Sequence, residues 1–397
     1  MFSGRVEELL SLDKILFQTK NGNPQHFAIV GDRGIGKSSL LFYLDSVAKG
    51  SIESLSAGTF RFLTVNVEFE PATDYSEIVR KVGKALQRGA ASVQTTKAVA
   101  TAVWDFLKRW EVAGVKYTTA QASSKSEMLE DLADALIRSS EALTGTFDGI
   151  LILIDEADKP DSTAHLGEFA KLLTERLSKA GCNNVGLGLA GLPALLPKLR
   201  RSHESSLRVF EMLTLAPLLP DERIAVISKG LDAAEERNGY RVTIEPAAEQ
   251  LISMLSEGYP HFIQQFAYCS FEADTDNTID VGDVSRGAFG ENGAFTQLGV
   301  KYFEGLYFDQ ISSTEYRRVL RAMAQHGDGW VKRSAIQEAT GLKASTLNNA
   351  LNALKKRDII QGKPGRTGEY RLPSNTFAVW IRGFTSDDAD QPPLATD

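Results

Sequence analysis

Only two cysteines occur in 397 residues, Cys182 and Cys269, far apart and without a Cys or His neighbour at metal-ligand spacing. That excludes a disulfide framework or a zinc site as the basis of the fold and suits a reducing compartment. No apolar run approaches the roughly 18–20 residues of a membrane-spanning helix. The opening Met1-Phe2-Ser3-Gly4-Arg5 has no apolar signal-peptide core. The expectation is a cytoplasmic protein with no membrane contact. Internal repeats of solenoid length are also lacking. What is present, 43% hydrophobic and 24% charged residues, is the composition of a globular protein. The length predicts two or three domains.

A net charge of −7 argues against a nucleic-acid-binding surface covering the whole molecule, yet the charge is unevenly spread. Ser313 to Phe384 holds 13 basic and 5 acidic residues, a local +8, which leaves −15 on the remainder. The asymmetry predicts a basic module joined to an acidic engine.

Patterning along the chain alternates strand and helix. Strands are predicted at His26–Gly31, Arg61–Phe69, Gly149–Asp155, Val185–Ala190 and Arg208–Leu215, with helices at Ser38–Ala48, Ser126–Leu143 and His165–Leu177. Asp74 and Glu77 form a capping pair that opens a further helix through about Leu86. The stretch 89–125, rich in Ala, Ser and Thr and containing Trp104 and Trp110, reads as an insertion at the sheet edge, with a partner or membrane contact as the alternative. This order specifies an α/β fold, a three-layer sandwich around a mainly parallel sheet, over 1–216. Helical patterns at Asp221–Glu236, Pro246–Ser256 and His261–Phe271 predict a small all-helical domain over 217–304, with 274–291 as an acidic connector. A third domain is predicted over 305–384, and 385–397 as a disordered tail.

Gly31-Asp32-Arg33-Gly34-Ile35-Gly36-Lys37-Ser38, followed by Ser39, fits G-x-x-x-x-G-K-[ST] between a strand and a helix, the context that gives this motif its meaning. The glycines let backbone N–H groups turn around a β-phosphate, and the helix beginning beyond Gly36 adds its positive end. Lys37 would bridge the β- and γ-phosphates, and the Ser38 hydroxyl would ligate Mg²⁺. Leu151-Ile152-Leu153-Ile154-Asp155-Glu156 supplies the other half, because a carboxylate at the carboxyl tip of a buried strand lies where such sheets bind ligands. Asp155 would hold the Mg²⁺ shell and Glu156 would polarise the attacking water. The pair of motifs predicts ATP with Mg²⁺, and hydrolysis.

With these residues in place the chain resembles the AAA+/STAND P-loop ATPases, in the branch near the Orc/Cdc6-like and archaeal-type STAND ATPases. Phe2-Ser3-Gly4-Arg5-Val6-Glu7-Glu8-Leu9 is similar to the F-x-G-R-x-x-E-L box, which implies Arg5 near the adenine. Arg208-Val209-Phe210 and Leu213-Thr214-Leu215-Ala216-Pro217-Leu218 resemble the R-x-F and L-x-P-L stretches that lead into the lid. Gly258-Tyr259-Pro260-His261-Phe262 resembles the G-x-P motif of the STAND lid, which implies that Pro260 approaches the nucleotide. The resemblance further implies an arginine finger reaching a neighbouring subunit, Arg208 first and Arg200 or Arg201 second, and so a homo-oligomer. Two departures stand out. Val185–Ala190 runs into Gly191-Leu192-Pro193 with no polar sensor residue, and Gly-x-Pro stands where many AAA+ proteins carry a sensor arginine. Both favour a slow switch over a fast motor.

In the basic segment, Thr314–Gln325, Lys332–Ala339 and Ala344–Lys356 read as helices, with a turn at Gly341 and a hairpin from Ile359–Gln361 and Tyr370–Leu372. This is the pattern of a winged helix-turn-helix. Ser345, Thr346, Asn348, Asn349, Asn352 and Lys356 fall on the exposed face of its last helix, and Lys363, Arg366 and Arg371 on the wing. Such groups suit base edges and phosphates of double-stranded DNA across 332–371. Three functions remain open at this point: a DNA-linked switch, a signalling or defence ATPase whose winged helix contacts protein, and an ATP-binding protein that does not turn over. In each, a downstream activity belongs to a separate effector or partner protein.

Overall fold

A computed structural model describes residues 4–56, 58–92, 122–357, 359–363 and 365–385, with isolated positions 99, 101 and 105. The reading of 89–125 as an edge insertion therefore lies largely outside the described residues, and the tail 385–397 does so beyond Thr385. The chain divides into two compact units, 4–216 and 217–397. Among the described residues no helix is long and apolar enough to cross a membrane.

The first unit is built on five parallel strands, β1 (His26–Val30), β2 (Phe62–Glu68), β3 (Gly149–Asp155), β4 (Val185–Gly191) and β5 (Phe210–Thr214), in the order β2-β3-β4-β1-β5. Its helices are α1 (Val6–Lys20), α2 (Lys37–Ala48), α3 (Tyr75–Ser92), α4 (Ala122–Leu143), α5 (Leu166–Lys179) and α6 (Leu195–Ser202). Alternation along the strands sorts side chains to two faces. Ala28, Val30, Val65, Ile150, Ile152, Ile154, Leu187 and Leu189 pack with Ile78, Val82, Leu132, Leu136, Phe169 and Leu173 of α3, α4 and α5. The other face meets α1: a Cβ on Gly186 would touch Leu151 of β3 and Thr19 of α1 together. Helices thus cover both faces, which is why β3 and β4 are buried almost end to end. Gly188 shows the tightness of fit, because a Cβ there would lie 2.2 Å from the Phe27 ring.

Asp74 and Glu77 cap α3 as expected: the Glu77 amide donates to Asp74 Oδ1 at 2.8 Å, and the Asp74 amide donates to Glu77 Oε2 at 3.2 Å. The helix then runs past Leu86 to Ser92, because its apolar positions continue to face β2.

The second unit holds α7 (Pro220–Asn238), α8 (Pro246–Leu255), α9 (Pro260–Ala273), α10 (Val281–Phe289), α11 (Ala294–Leu298), α12 (Thr314–Ala324), α13 (Arg333–Thr340), α14 (Ala344–Lys356) and α15 (Asn375–Phe384). The supposed connector 274–291 contains a helix, α10. Asp280 accepts from the Asp283 amide at 2.8 Å and Asp283 accepts from the Asp280 amide at 2.9 Å, a reciprocal cap that starts it. Nor is the region purely helical, since β6 (Thr243–Ile244) pairs in parallel with β7 (Thr278–Ile279). One apolar cluster runs from Leu218 to Ile381 through both 217–304 and 305–384. At its centre Trp380 packs on Phe303, Tyr307 and Phe377, and a Cβ on Gly299 would lie 2.2 Å from the Trp380 ring nitrogen. Gly299–Phe303 and Gly305–Asp309 are π-helical turns beside this indole. Toward the C-terminus, α12, α13 and α14 are followed by β9 (Gln361–Gly362) and β10 (Glu369–Arg371), which pair antiparallel with each other and, through β10, with β8 (Val331–Lys332).

Candidate functional site: a P-loop at the carboxyl edge of the sheet

β1 ends in the glycine-rich loop, and Gly34 and Gly36 take φ of 79° and 100°, conformations that glycine adopts without a Cβ penalty. Gly31 needs its missing side chain for another reason: a Cβ would sit 2.9 Å from Ile35 and 3.1 Å from the Leu215 carbonyl. α2 opens directly after Gly36, so its first N–H groups and dipole point into the loop. Ser38 and Ser39 are exposed on this first turn, as are Asp32 and Arg33 before it. Lys37 Nζ donates to the carbonyls of Gly31 and Asp32, each at 2.9 Å.

Burial pulls the Lys37 ammonium below its ordinary pKa, and the negative charges of Asp158, Glu156, Asp155 and Asp32 oppose the shift. The arrangement is thus a half-buried cation facing several carboxylates at the sheet edge. Asp155 ends β3, two strands from β1, and β4 lies between them. At strand spacing this is roughly 10 Å across the sheet. Glu156 follows in the left-handed region with φ 52°, its amide bonded to Asp155 Oδ1 at 2.8 Å. Its carboxylate lies 3.9 Å from Lys159 Nζ.

Sequence reasoning overlooked Asp158. It is buried at the end of β4, where Oδ1 accepts the Leu192 amide at 2.8 Å, and a Cβ on Gly191 would meet that same oxygen at 2.7 Å. Lys198 Nζ donates to the carbonyls of Asp158 and Pro160. A glycine ending a strand opposite a short acidic turn is the signal that could have exposed it.

Arg5 is 4% exposed and does not stand free for a base. Its guanidinium donates to the Ile35 carbonyl of the loop at 2.8 Å and to the Ala216 carbonyl beyond β5 at 2.9 Å, with Glu8 at 3.2 Å. It ties the P-loop to the end of β5.

Arg208, Arg200 and Arg201 are exposed. Arg208 precedes Phe210, which pairs with His26 at the amino end of β1, whereas the P-loop leaves the carboxyl end after Val30. The length of the strand, roughly 13 Å, separates Arg208 from its own loop. Pro260 belongs to the second unit, at the first turn of α9, after Glu257 and Gly258 with φ of 52° and 83°. The Gly258 carbonyl accepts the Leu218 amide at 2.8 Å.

In the basic segment Ser345, Asn348, Asn349, Asn352 and Lys356 are exposed on α14 and Thr346 is half-buried. Around β9 and β10, Lys363 and Arg366 approach Glu369 at 2.5 and 3.6 Å, and Arg371 stacks on Trp330 at 4.7 Å.

The five-stranded parallel sheet with this loop is a P-loop α/β fold. No protein-family model matches the sequence, and no curated protein matches it. Among solved structures the chain is similar to a Walker-type ATPase of Pyrococcus abyssi, with 15% identity, 96% of each chain covered and a TM-score of 0.57. It is also similar to the ORC2 protein of Aeropyrum pernix in ADPNP–ADP complexes, with 14% identity, 96% of this chain and 94% of that chain covered and a TM-score of 0.56. At these identities the likeness is one of fold.

Proposed function

We propose that the chain is an ATPase that binds ATP with Mg²⁺ at the P-loop and uses slow hydrolysis to switch a DNA-binding winged helix at its C-terminus. The observation that carries the nucleotide part is the half-buried Lys37 at the mouth of a glycine cradle, facing Asp155, Glu156 and Asp158. The residues fit the ligand: loop N–H groups and the α2 terminus for the phosphates, Lys37 for the β- and γ-oxygens, and Ser38 with Asp155 for the metal. Bound Mg²⁺ would neutralise charge developing on the transferring phosphoryl group. Glu156 would orient water and take its proton. Gly31, Asp32, Arg33, Gly34, Ile35, Gly36 and Ser39 complete the cradle, and Arg5 keeps its shape. Arg208 would act in trans, in a homo-oligomer.

DNA binding is supported by the +8 balance of 313–384 and by the carboxylate-free exposed face of α14. The internal pairing of Lys363 and Arg366 with Glu369 favours a second reading, in which this segment meets a partner protein and the output is signalling. Turnover measured with and without duplex DNA, at low and physiological salt, separates the two. Stimulation by duplex that is lost in Glu156→Gln supports the switch. Turnover indifferent to DNA, with no salt-dependent duplex binding, supports the partner-protein reading. Lys37→Ala should weaken ATP binding, and Glu156→Gln should keep binding while cutting turnover by ~10²–10⁴. Full turnover by Glu156→Gln would remove that residue from the mechanism.

A further inference from the structure

We propose that the exposed stripe of α14 reads adenine in the major groove, a specificity that rests on the DNA-binding reading above. Leu347, Ala350, Leu351 and Leu354 bury one side of α14. On the opposite side Ser345, Asn349, Asn352 and Lys356 follow one another at i, i+4, i+7 and i+11, all exposed. At helical spacing they fall within about 60° of arc and run for roughly 16 Å. The order is a hydroxyl, two primary amides and an ammonium.

Asn348, beside the stripe, is committed elsewhere. Its Oδ1 accepts from Arg333 Nε at 2.8 Å, while the same guanidinium donates to Gln337 Oε1 at 3.0 Å and to the Ala344 carbonyl at 3.3 Å. Asn348 therefore offers only its NH₂ group outward, and Arg333, the cation nearest the middle of the helix, is spent holding it. Asn349 and Asn352 each present an acceptor and a donor.

That pair of groups matches one base edge. Adenine shows an N7 acceptor beside an N6–H donor, so a primary amide closes two hydrogen bonds with it. Guanine shows two acceptors, N7 and O6, and is met by a guanidinium or ammonium. On this helix the free cations stand at the ends, Lys343 before the first turn and Lys355 and Lys356 in the last, where the groove walls carry phosphate. Asn349 and Asn352 differ in height by roughly 4.5 Å, near one base step. They are placed for neighbouring A·T pairs.

The test uses the full chain and fluorescence anisotropy with duplexes of equal length, whose central helical turn is all A·T, all G·C, or A·T carrying 7-deazaadenine. The deaza base keeps pairing and the minor groove but lacks N7. The A·T duplex should bind tighter than the G·C duplex by roughly tenfold or more. The deaza duplex should fall to the G·C level. Asn349→Ala with Asn352→Ala, which raises helix propensity at both sites, should erase the discrimination while the circular dichroism spectrum keeps its helical signal. Equal affinity for A·T and G·C overturns the proposal and leaves the DNA reading standing. So does an A·T preference that survives 7-deazaadenine, since it would come from minor-groove shape. Failure to bind any duplex at low salt overturns the DNA reading, and this inference with it.

Discussion

Replacing Arg5 by alanine tests whether the P-loop is held from outside its own motif. The guanidinium is 4% exposed and donates to the Ile35 and Ala216 carbonyls at 2.8 and 2.9 Å. A hydrogen bond from a charged donor contributes about 1.5–3 kcal/mol, and alanine would leave both carbonyls without it. Solvent screening is slight at this depth, so the expected loss of stability in the first unit is roughly 3–5 kcal/mol. Arg5 also sits at φ 60°, where a Cβ is strained. Arg5→Gly removes the same bonds but relieves that strain, and should be less destabilising than Arg5→Ala by about 1 kcal/mol. Because Ile35 is part of the loop, nucleotide affinity should fall as well, by about tenfold, as the cradle loses its outer anchor. Urea unfolding and titration with a fluorescent ATP analogue read the two effects. A stability loss below about 1 kcal/mol, or unchanged affinity in a destabilised protein, would refute the strut.

Three further perturbations follow from the packing. Burial holds the His26 pKa down to about 4, and its Nδ1 accepts the Leu187 amide at 3.2 Å. The folded chain refuses a proton that the unfolded chain takes up below about 6.5, so stability should decline by about 3 kcal/mol between pH 6.5 and 4. His26→Asn, which keeps an acceptor, should flatten that part of a pH-dependent unfolding curve, and an unchanged slope would assign it to other groups. Gly149→Ala places a Cβ 2.0 Å from the Asn184 carbonyl at φ 156°, so soluble yield or thermal stability should collapse; a wild-type melting curve would contradict the packing of β3 against the chain before β4. Thr376, buried at the start of α15, shares its one Oγ1 proton between Glu257 at 2.6 Å and the Leu255 carbonyl at 2.8 Å. Thr376→Val should destabilise the second unit by about 1.5–3 kcal/mol in urea unfolding, and no change would mean that this tie holds nothing.

The glycine-rich loop was legible because its geometry is local, set by one strand, one turn and one helix start, whereas Asp155 and Glu156 come from the end of β3, two strands away. The capping pair Asp74 and Glu77 is local in the same way. The helix α10 was hidden because its cap uses Asp283 rather than a longer acid, amid acidic residues that read as a connector. The contacts of Arg5 are not local. Its box is a sequence signal, but that its donors turn to Ile35 and Ala216 depends on a contact across 211 residues, which no window reveals.

Asp158 carries the argument further. The bare end of β4 read as a lost polar sensor, because the residues at that strand tip, Gly191 and Leu192, have none to offer. The fold sets a polar group there from a different segment: the glycine leaves room, the Leu192 amide fixes Oδ1, and Lys198 pins the turn behind it. A carboxylate in this place differs from an amide or hydroxyl, since it offers only acceptors. It also raises the proton affinity of Lys37 against burial. The charge state of the P-loop lysine thus depends on a carboxylate from outside the loop, set in place by the glycine that ends β4.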